Sequence, residues 1–337
     1  MGEGPLREHE LTGVVGRAMF EDPPPDAHPD DLPRWRAFRK AYHAAARLDA
    51  VAAFPLQLDF ELNTTCQMRC TFCAQTASPP KLRLMTFDTF ATAIREGEAH
   101  GLCSVKLNVN NEPLLRRDLP RFVRFAKAHS VLNTYIATNG LALGEVMARE
   151  IIASGLTKVM VSLDATTAAT YRQMRNSTQF GRIVANVRHL IELRDIIGSP
   201  TPLVRVNFLR TEINKHEADD FLAEWTGIAD GIGFQEQLGV PGVTAPLSRN
   251  GRPSDPEFRC AFPFKMVALA ADGDIRPCCP FSGVDMPLGN LADMTIKEAW
   301  DSDQMATLRE MHRAGLGLVY PSCEHCQGAD AAPEIAE

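Results

Sequence analysis

A chain of 337 residues is long enough for one large domain with a smaller appendage, and 45% apolar with 23% charged residues are globular values. Forty-two acidic against 35 basic side chains, a formal charge of −7, leave no electrostatic footprint for nucleic acid or an anionic membrane. The opening MGEGPLREHELTGVV lacks the basic and apolar runs of a secretory signal, and no stretch approaches about eighteen uncharged apolar residues, so a soluble, cytoplasmic protein is expected. In a reducing compartment its nine cysteines are expected as metal ligands rather than as a disulfide framework.

Residues 22–33, DPPPDAHPDDLP, read as a linker or extended wrap, because each proline removes a donor and restricts its predecessor. A helix is predicted over 34–54, completing an N-terminal extension over 1–54. From 55 to 239 strand-like runs (55–63, 104–109, 132–138, 158–164, 203–210 and 231–238) alternate with amphipathic helical segments. That alternation predicts a parallel sheet with helices outside it, open or curled into a barrel. In the first run Gln57, Asp59, Glu61 and Asn63 share one face and Leu56, Leu58, Phe60 and Leu62 the other; Lys106, Asn108 and Asn110 likewise oppose Val105, Leu107 and Val109. A polar face on a parallel strand predicts a wet cavity. Beyond 240 a Gly/Pro-rich passage precedes a hairpin around Asp272-Gly273-Asp274 and one helix carrying Ile296, Ala299 and Trp300 and stopped by Gly315, which together make a smaller domain over 240–337.

The stretch ELNTTCQMRCTFCAQT (61–76) places Cys66, Cys70 and Cys73 in one loop. The spacing is open to part of a zinc site, but structural zinc takes four ligands, whereas three thiolates suit an iron–sulfur cube with one iron left for a non-protein ligand.

CQMRCTFC resembles the CxxxCxΦC signature of radical S-adenosylmethionine (SAM) enzymes, with Phe72 as the aromatic residue. NNEPLL (110–115) stands where that family has Gly-Gly-Glu-Pro, ATNG (137–140) and VSLDA (161–165) resemble its next strand ends, and TYRQMR (170–175) follows. The resemblance covers 55–238 and implies a partial (β/α)6 barrel with its cluster at the C-terminal rim. It implies cofactor contacts from Phe72, Asn110, Asn111, Glu112, Thr138, Asn139, Ser162, Asp164 and Arg175, with Glu112 on the SAM ammonium, Ser162 on the ribose and Arg175 on the carboxylate. Asn110 and Asn111 depart from the family's glycines and would either crowd the methionine moiety or hydrogen-bond to it. The chemistry implied is one-electron cleavage of SAM to a 5′-deoxyadenosyl radical, which abstracts hydrogen from an unactivated carbon, with a flavodoxin- or ferredoxin-type electron donor.

Cys260, Cys278, Cys323 and Cys326 suit zinc or iron–sulfur equally by themselves. With LGNLADMTIKEAW and the terminal CEHC they resemble the twitch domain, the shortened SPASM module, which implies an auxiliary cluster and hence two [4Fe-4S] clusters in all. Cys279 reads as a bystander or, in an epimerase, as a hydrogen-atom donor. Cys103 reads as a buried structural thiol.

Similar twitch enzymes act on aminocyclitols and aminoglycosides. The resemblance therefore implies oxidation of a secondary alcohol to a ketone in antibiotic biosynthesis, the auxiliary cluster accepting an electron. Asp59, Glu61, Asn108, Gln235, Glu236 and Gln237 are the candidate substrate contacts, in a lumen expected to be acidic. An epimerase, a ribosomal-peptide-modifying SPASM enzyme and a non-catalytic metal-binding scaffold are the alternatives.

Overall fold

The computed structural model describes residues 13–16, 19–77, 79–236, 259–278, 286–317 and 323. The chain opens with β1 (Gly13–Gly16) and α1 (Leu32–Ala46), then alternates β2 (Gln57–Phe60), α2 (Ala74–Ala77), α3 (Phe87–Ala99), β3 (Ser104–Lys106), α4 (Leu119–Ala128), β4 (Asn133–Thr138) and α5 (Glu145–Ser154). The alternation continues through β5 (Lys158–Ser162), α6 (Ala168–Arg175), α7 (Phe180–Ile197), β6 (Leu203–Arg210), α8 (Ala218–Trp225) and β7 (Gly231–Glu236). Last come α9 (Phe262–Lys265), β8 (Met266–Leu269), β9 (Asp274–Arg276), β10 (Gly289–Asn290), α10 (Ile296–Trp300) and α11 (Asp303–Arg313).

Strands β2 to β7 pair in parallel and in sequence order, the pattern of right-handed βα units wound one after another. Every loop that follows a strand therefore emerges at one rim. Period two divides each strand between two environments. Val159 and Val161 of β5 and Val204, Val206 and Phe208 of β6 are fully buried under the helices. Helix α7 meets them with Ile183, Val187, Leu190 and Ile191, the spacing of one helical face, and Gly198 ends it in the left-handed conformation a side chain resists.

The opposite strand face corrects the expectation of a wet cavity. Gln57 and Asp59 are buried, and side chains of β2 to β5 cross-bond to fill the lower lumen. Lys158 Nζ donates to Asn133 Oδ1 at 2.6 Å, Asn133 Nδ2 to Ser104 Oγ at 2.8 Å, and Ser104 Oγ to Gln57 Oε1 at 3.2 Å. Gln57 Nε2 then donates to Asp59 and to Tyr135. Phe20 closes this end, edge-on to Tyr135 with ring centroids 5.2 Å apart and 4.7 Å from the Lys158 ammonium. The wrap predicted for 22–33 thus leads from this plug into a short 3-10 turn (Pro29–Asp31) and α1, and α1 ends at Ala46, short of the predicted 54. Cys103 is buried beside Trp35, Phe38 and Leu132.

Beyond the barrel, β8 pairs in parallel with β2 from Gln57↔Met266 to Phe60↔Leu269, and β9 and β10 follow antiparallel. β1 pairs antiparallel with β7 at the other edge, so ten strands form one continuous sheet. The helix predicted around Trp300 is two helices. Thr295 and Glu298 form a reciprocal capping box that starts α10, and the Ser302 hydroxyl accepts the Met305 N–H to start α11. Glu96 of α3 accepts the backbone N–H groups of Ile296 and Lys297, and Trp300 Nε1 donates to Ala52 O at 2.8 Å, docking α10 on the barrel. No helix among the described residues is long and apolar enough to cross a membrane.

Candidate active site

The loop after β2 carries Cys66, Cys70 and Cys73 at the rim, and the neighbouring strand ends close round it. The Met68 N–H and Asn139 Nδ2 donate to Cys66 Sγ at 3.4 and 3.5 Å, and Arg175 Nη1 donates to Cys70 Sγ at 3.6 Å. Burial, with smaller contributions from Glu112, Cys70 and Cys73, pushes the Cys66 thiol up to about 11. A bound metal would hold these sulfurs as thiolates, its cationic charge taking the place of their protons. Among the described residues no three thiol, imidazole or carboxylate groups converge on a single ion. A cube spreads its thiolates over three separate corners, and donors aimed at sulfur are the support such a cluster uses.

Glu112 stands at the centre of the next two strand ends. Thr138 Oγ1 donates to its Oε1 at 2.6 Å, the Leu114 N–H to the same oxygen at 3.1 Å, and the Asn139 N–H to Oε2 at 2.8 Å. The carboxylate is buried, and desolvation raises its pKa against these donors. Within NNEPLL the Asn111 side chain and the Asn110 backbone carbonyl serve the loop itself. Asn111 Oδ1 accepts the Val109 N–H, its amide donates to Asn63, and Asn63 Nδ2 reaches the Glu112 and Thr65 carbonyls, while Gln75 Nε2 donates to Asn110 O. The Asn111 side chain is thereby turned into the protein.

Arg175 ends α6 and is buried with Asp164, whose backbone takes a left-handed φ of 63° after β5. The two side chains form an ion pair, and Asp164 Oδ1 also accepts the Leu209 N–H at 2.7 Å. The guanidinium lies 5.1 Å from the Phe72 ring centroid, so Cys70, Phe72, Asp164 and Arg175 form one contact chain. Asp164 faces Arg175 and β6, whereas Ser162 is half-buried at the end of β5, paired through its backbone with Asn207.

Among the candidate substrate contacts, Asp59 is paired with Lys106 at 3.8 Å, and burial pushes its pKa up to about 6. Glu61 accepts the Ala271 N–H at 3.4 Å and, with Arg276 and Cys278, lines a small crevice where β2 meets β8. Asn108 Oδ1 accepts the Ala137 N–H at 2.7 Å, tying β3 to β4. Gln235 is exposed, only the backbone of Glu236 is described, and Gln237 lies outside the described residues. The expected acidity of the lumen is offset, because Lys106, Lys158 and Arg205 share it. Arg205 is buried with its Nη2 on Met160 Sδ, and desolvation lowers its pKa to about 10. These cations were legible by the same period-two count that singled out Asp59.

In the second cysteine set Cys260 is buried and Cys278 and Cys323 are half-buried; Cys279 and Cys326 lie outside the described residues. Residues 260 and 323 converge on one side chain, His312. The Cys260 N–H donates to its Nδ1 at 3.3 Å, and its Nε2 lies 3.9 Å from Cys323 Sγ. His312 shares the buried face of α11 with Met305 and Leu308, and burial pushes its pKa down to about 4. Its helical spacing from those two residues was the available signal for it.

Residues 60–204 match the Radical SAM superfamily, and 260–327 match the SPASM iron–sulfur cluster-binding domain. Probable GTP 3′,8-cyclases of Saccharolobus solfataricus and Methanococcus vannielii are 27% and 28% identical over 169 and 166 residues. Those spans are 50% and 48% of this chain and 52% and 53% of the cyclases, so the chain spans about half the length of the curated relatives it matches. Among solved structures, BtrN in complex with AdoMet and 2-DOIA superposes with a TM-score of 0.55 at 16% identity, over 81% of this chain and 93% of BtrN. Streptococcus suis SuiB bound to S-adenosylmethionine gives 0.62 at 14% identity, over 90% of this chain and 83% of SuiB. The chain therefore has the α/β radical SAM fold on a parallel-sheet core, followed by a SPASM domain, and these two domains imply SAM and [4Fe-4S] clusters as its cofactors.

Proposed function

We propose that this protein oxidises a secondary alcohol of an aminocyclitol to a ketone in antibiotic biosynthesis, Cys66, Cys70 and Cys73 holding the cluster that binds SAM and Cys260, Cys278, Cys323 and Cys326 the auxiliary one. When bound, these groups supply hydrogen abstraction from the carbinol carbon and an acceptor for the electron released as the ketone forms. The chain's own residues position and enclose. Three donors already fix Glu112, and a carboxylate has about four acceptor sites, so one is left for the SAM ammonium. Arg175, beside Cys70 and Phe72, faces the SAM carboxylate, Thr138 and Asn139 brace Glu112, and Ser162 meets the ribose. Excluding water keeps the radical from side reactions, and the closed, cross-bonded floor beneath Phe20 serves that end.

The observation that carries the reading is the polar lumen below the cysteine rim, a surface that matches hydroxyl groups rather than apolar chains. There Asp59 is balanced by Lys106, which favours an aminocyclitol bearing one amine over a polycationic aminoglycoside. The extensive superposition on BtrN, solved with AdoMet and 2-DOIA, supports the same substrate size. The test is anaerobic turnover of 2-DOIA and related aminocyclitols with SAM and reduced flavodoxin or ferredoxin. The expected product is two hydrogens lighter, and deuterium on the carbinol carbon appears in 5′-deoxyadenosine. Unchanged mass with carbon-bound deuterium gained from heavy water would transfer the assignment to an epimerase, for which Cys279 is the candidate hydrogen donor. A second reading, peptide modification, is favoured by SuiB, also solved bound to precursor peptide SuiA. Turnover of a short precursor peptide with no aminocyclitol turnover would establish it.

A further inference from the structure

The second cysteine site contains a side chain that no ligand count calls for. Two of its thiol-bearing segments, at Cys260 and Cys323, are far apart in sequence and meet at the His312 imidazole. The geometry fixes what that ring can do. Its Nδ1 accepts the Cys260 backbone N–H, and a nitrogen that accepts carries no proton. The neutral ring therefore bears its proton on Nε2, and Nε2 is the atom 3.9 Å from Cys323 Sγ. His312 is 1% exposed, which shields that proton from bulk water. A Cys323 sulfur that ligates iron is a thiolate, a hydrogen-bond acceptor within reach of that N–H.

We propose that His312 is a positioning residue of the auxiliary cluster: it holds Cys260 and Cys323 together and donates an Nε2–H hydrogen bond to the Cys323 thiolate. The inference rests on the auxiliary-cluster reading. A hydrogen bond to a ligating sulfur offsets the extra negative charge of the reduced cluster, so it makes that cluster easier to reduce. A cluster that must take up an electron in a buried site gains from such a donor.

The experiment is a redox titration, followed by electron paramagnetic resonance, of the reconstituted full chain with Cys66, Cys70 and Cys73 replaced by alanine, so that the second site alone holds iron. A glutamine amide reaches about as far as Nε2 and keeps an N–H donor, whereas phenylalanine fills the volume with none. His312→Gln should hold the midpoint close to that of the His312 protein. His312→Phe should move it to more negative potential, lowering the reduced-to-oxidised ratio at a fixed poise roughly fivefold, the effect of one net hydrogen bond. Equal midpoints in all three proteins would overturn the proposal. Where His312→Phe fails to retain iron, electron–nuclear double resonance on the His312 protein decides. A weakly coupled exchangeable proton and weak coupling to 15N-labelled imidazole are expected; no coupling, or the strong nitrogen coupling of a direct ligand, would overturn it. Iron absent from the second site of the His312 protein would remove the cluster reading as well, and iron analysis separates that failure from a failure of the hydrogen bond alone.

Discussion

The two cysteine sites are built on opposite plans. The first takes its three thiols from one short loop and borrows its support from several neighbours: Met68 N–H and Asn139 on Cys66, Arg175 on Cys70. The second draws its thiols from separated segments and brings Cys260 and Cys323 to a single imidazole on α11. A local loop can be assembled before the rest of the fold, with support shared among strand ends that the barrel positions for other reasons. A dispersed site exists only once β8, β9 and α11 have docked, and its support is concentrated. The difference predicts how each will fail.

The largest effects come from the thiols themselves. Replacing Cys66, Cys70 and Cys73 with alanine should remove about four of about eight irons and all reductive cleavage of SAM. Cys323→Ala with Cys326→Ala should also remove about four irons, yet leave SAM cleavage detectable while ketone formation falls sharply. Iron analysis and quantification of 5′-deoxyadenosine against ketone check both. Full ketone formation without the second cluster would make the dispersed site a structural one and dissolve the functional side of the comparison.

The same contrast explains what the sequence alone disclosed. All six barrel strands were legible because strand-like runs between amphipathic helical segments are a local pattern, and the loop of three cysteines was legible because its spacing is local. The continuity of the sheet was not. Pairing of β8 with β2 joins residues some two hundred positions apart, and nothing in either strand names its partner. The cross-bonded floor of the lumen was missed for a similar reason. Gln57 and Asp59 read as wet until Ser104, Asn133, Lys158 and Phe20 supply partners from other elements. The break between α10 and α11 was present in Thr295, Glu298 and Ser302, which cap, but apolar spacing across the junction masked it.

A smaller effect is expected at the ion pair beneath the first site. Asp164 and Arg175 are both buried, so Arg175→Met strands a carboxylate and should cost roughly 3–5 kcal/mol of stability by denaturant titration. Adding Asp164→Leu removes the stranded charge and should restore most of that stability. SAM binding should stay weak in the double variant, since the guanidinium is missing from Cys70 and Phe72. Recovery of SAM affinity along with stability would show that Arg175 only holds the fold, and the first site would lose one of its shared supports.

The smallest effect tests sharing directly. Asn139 Nδ2 gives Cys66 one of its two described donors, and the Met68 N–H gives the other. Asn139→Ala removes this donor to Cys66 along with the Asn139 contacts to Leu141 and Gln67, so SAM cleavage should fall roughly tenfold with iron content unchanged. Asn139→Asp keeps an oxygen for the Leu141 N–H, which Asn139 Oδ1 now accepts at 3.0 Å, but it sets a negative charge beside the Cys66 thiolate. Its loss should exceed that of alanine, and most of the excess should disappear at acidic pH, where the new carboxyl takes up a proton and again presents a donor. Measuring the cleavage rate and bound iron of both variants across pH decides the matter. If Asn139→Ala alone empties the first site of iron, support there is as concentrated as at His312, and the two sites differ only in how their cysteines are spaced.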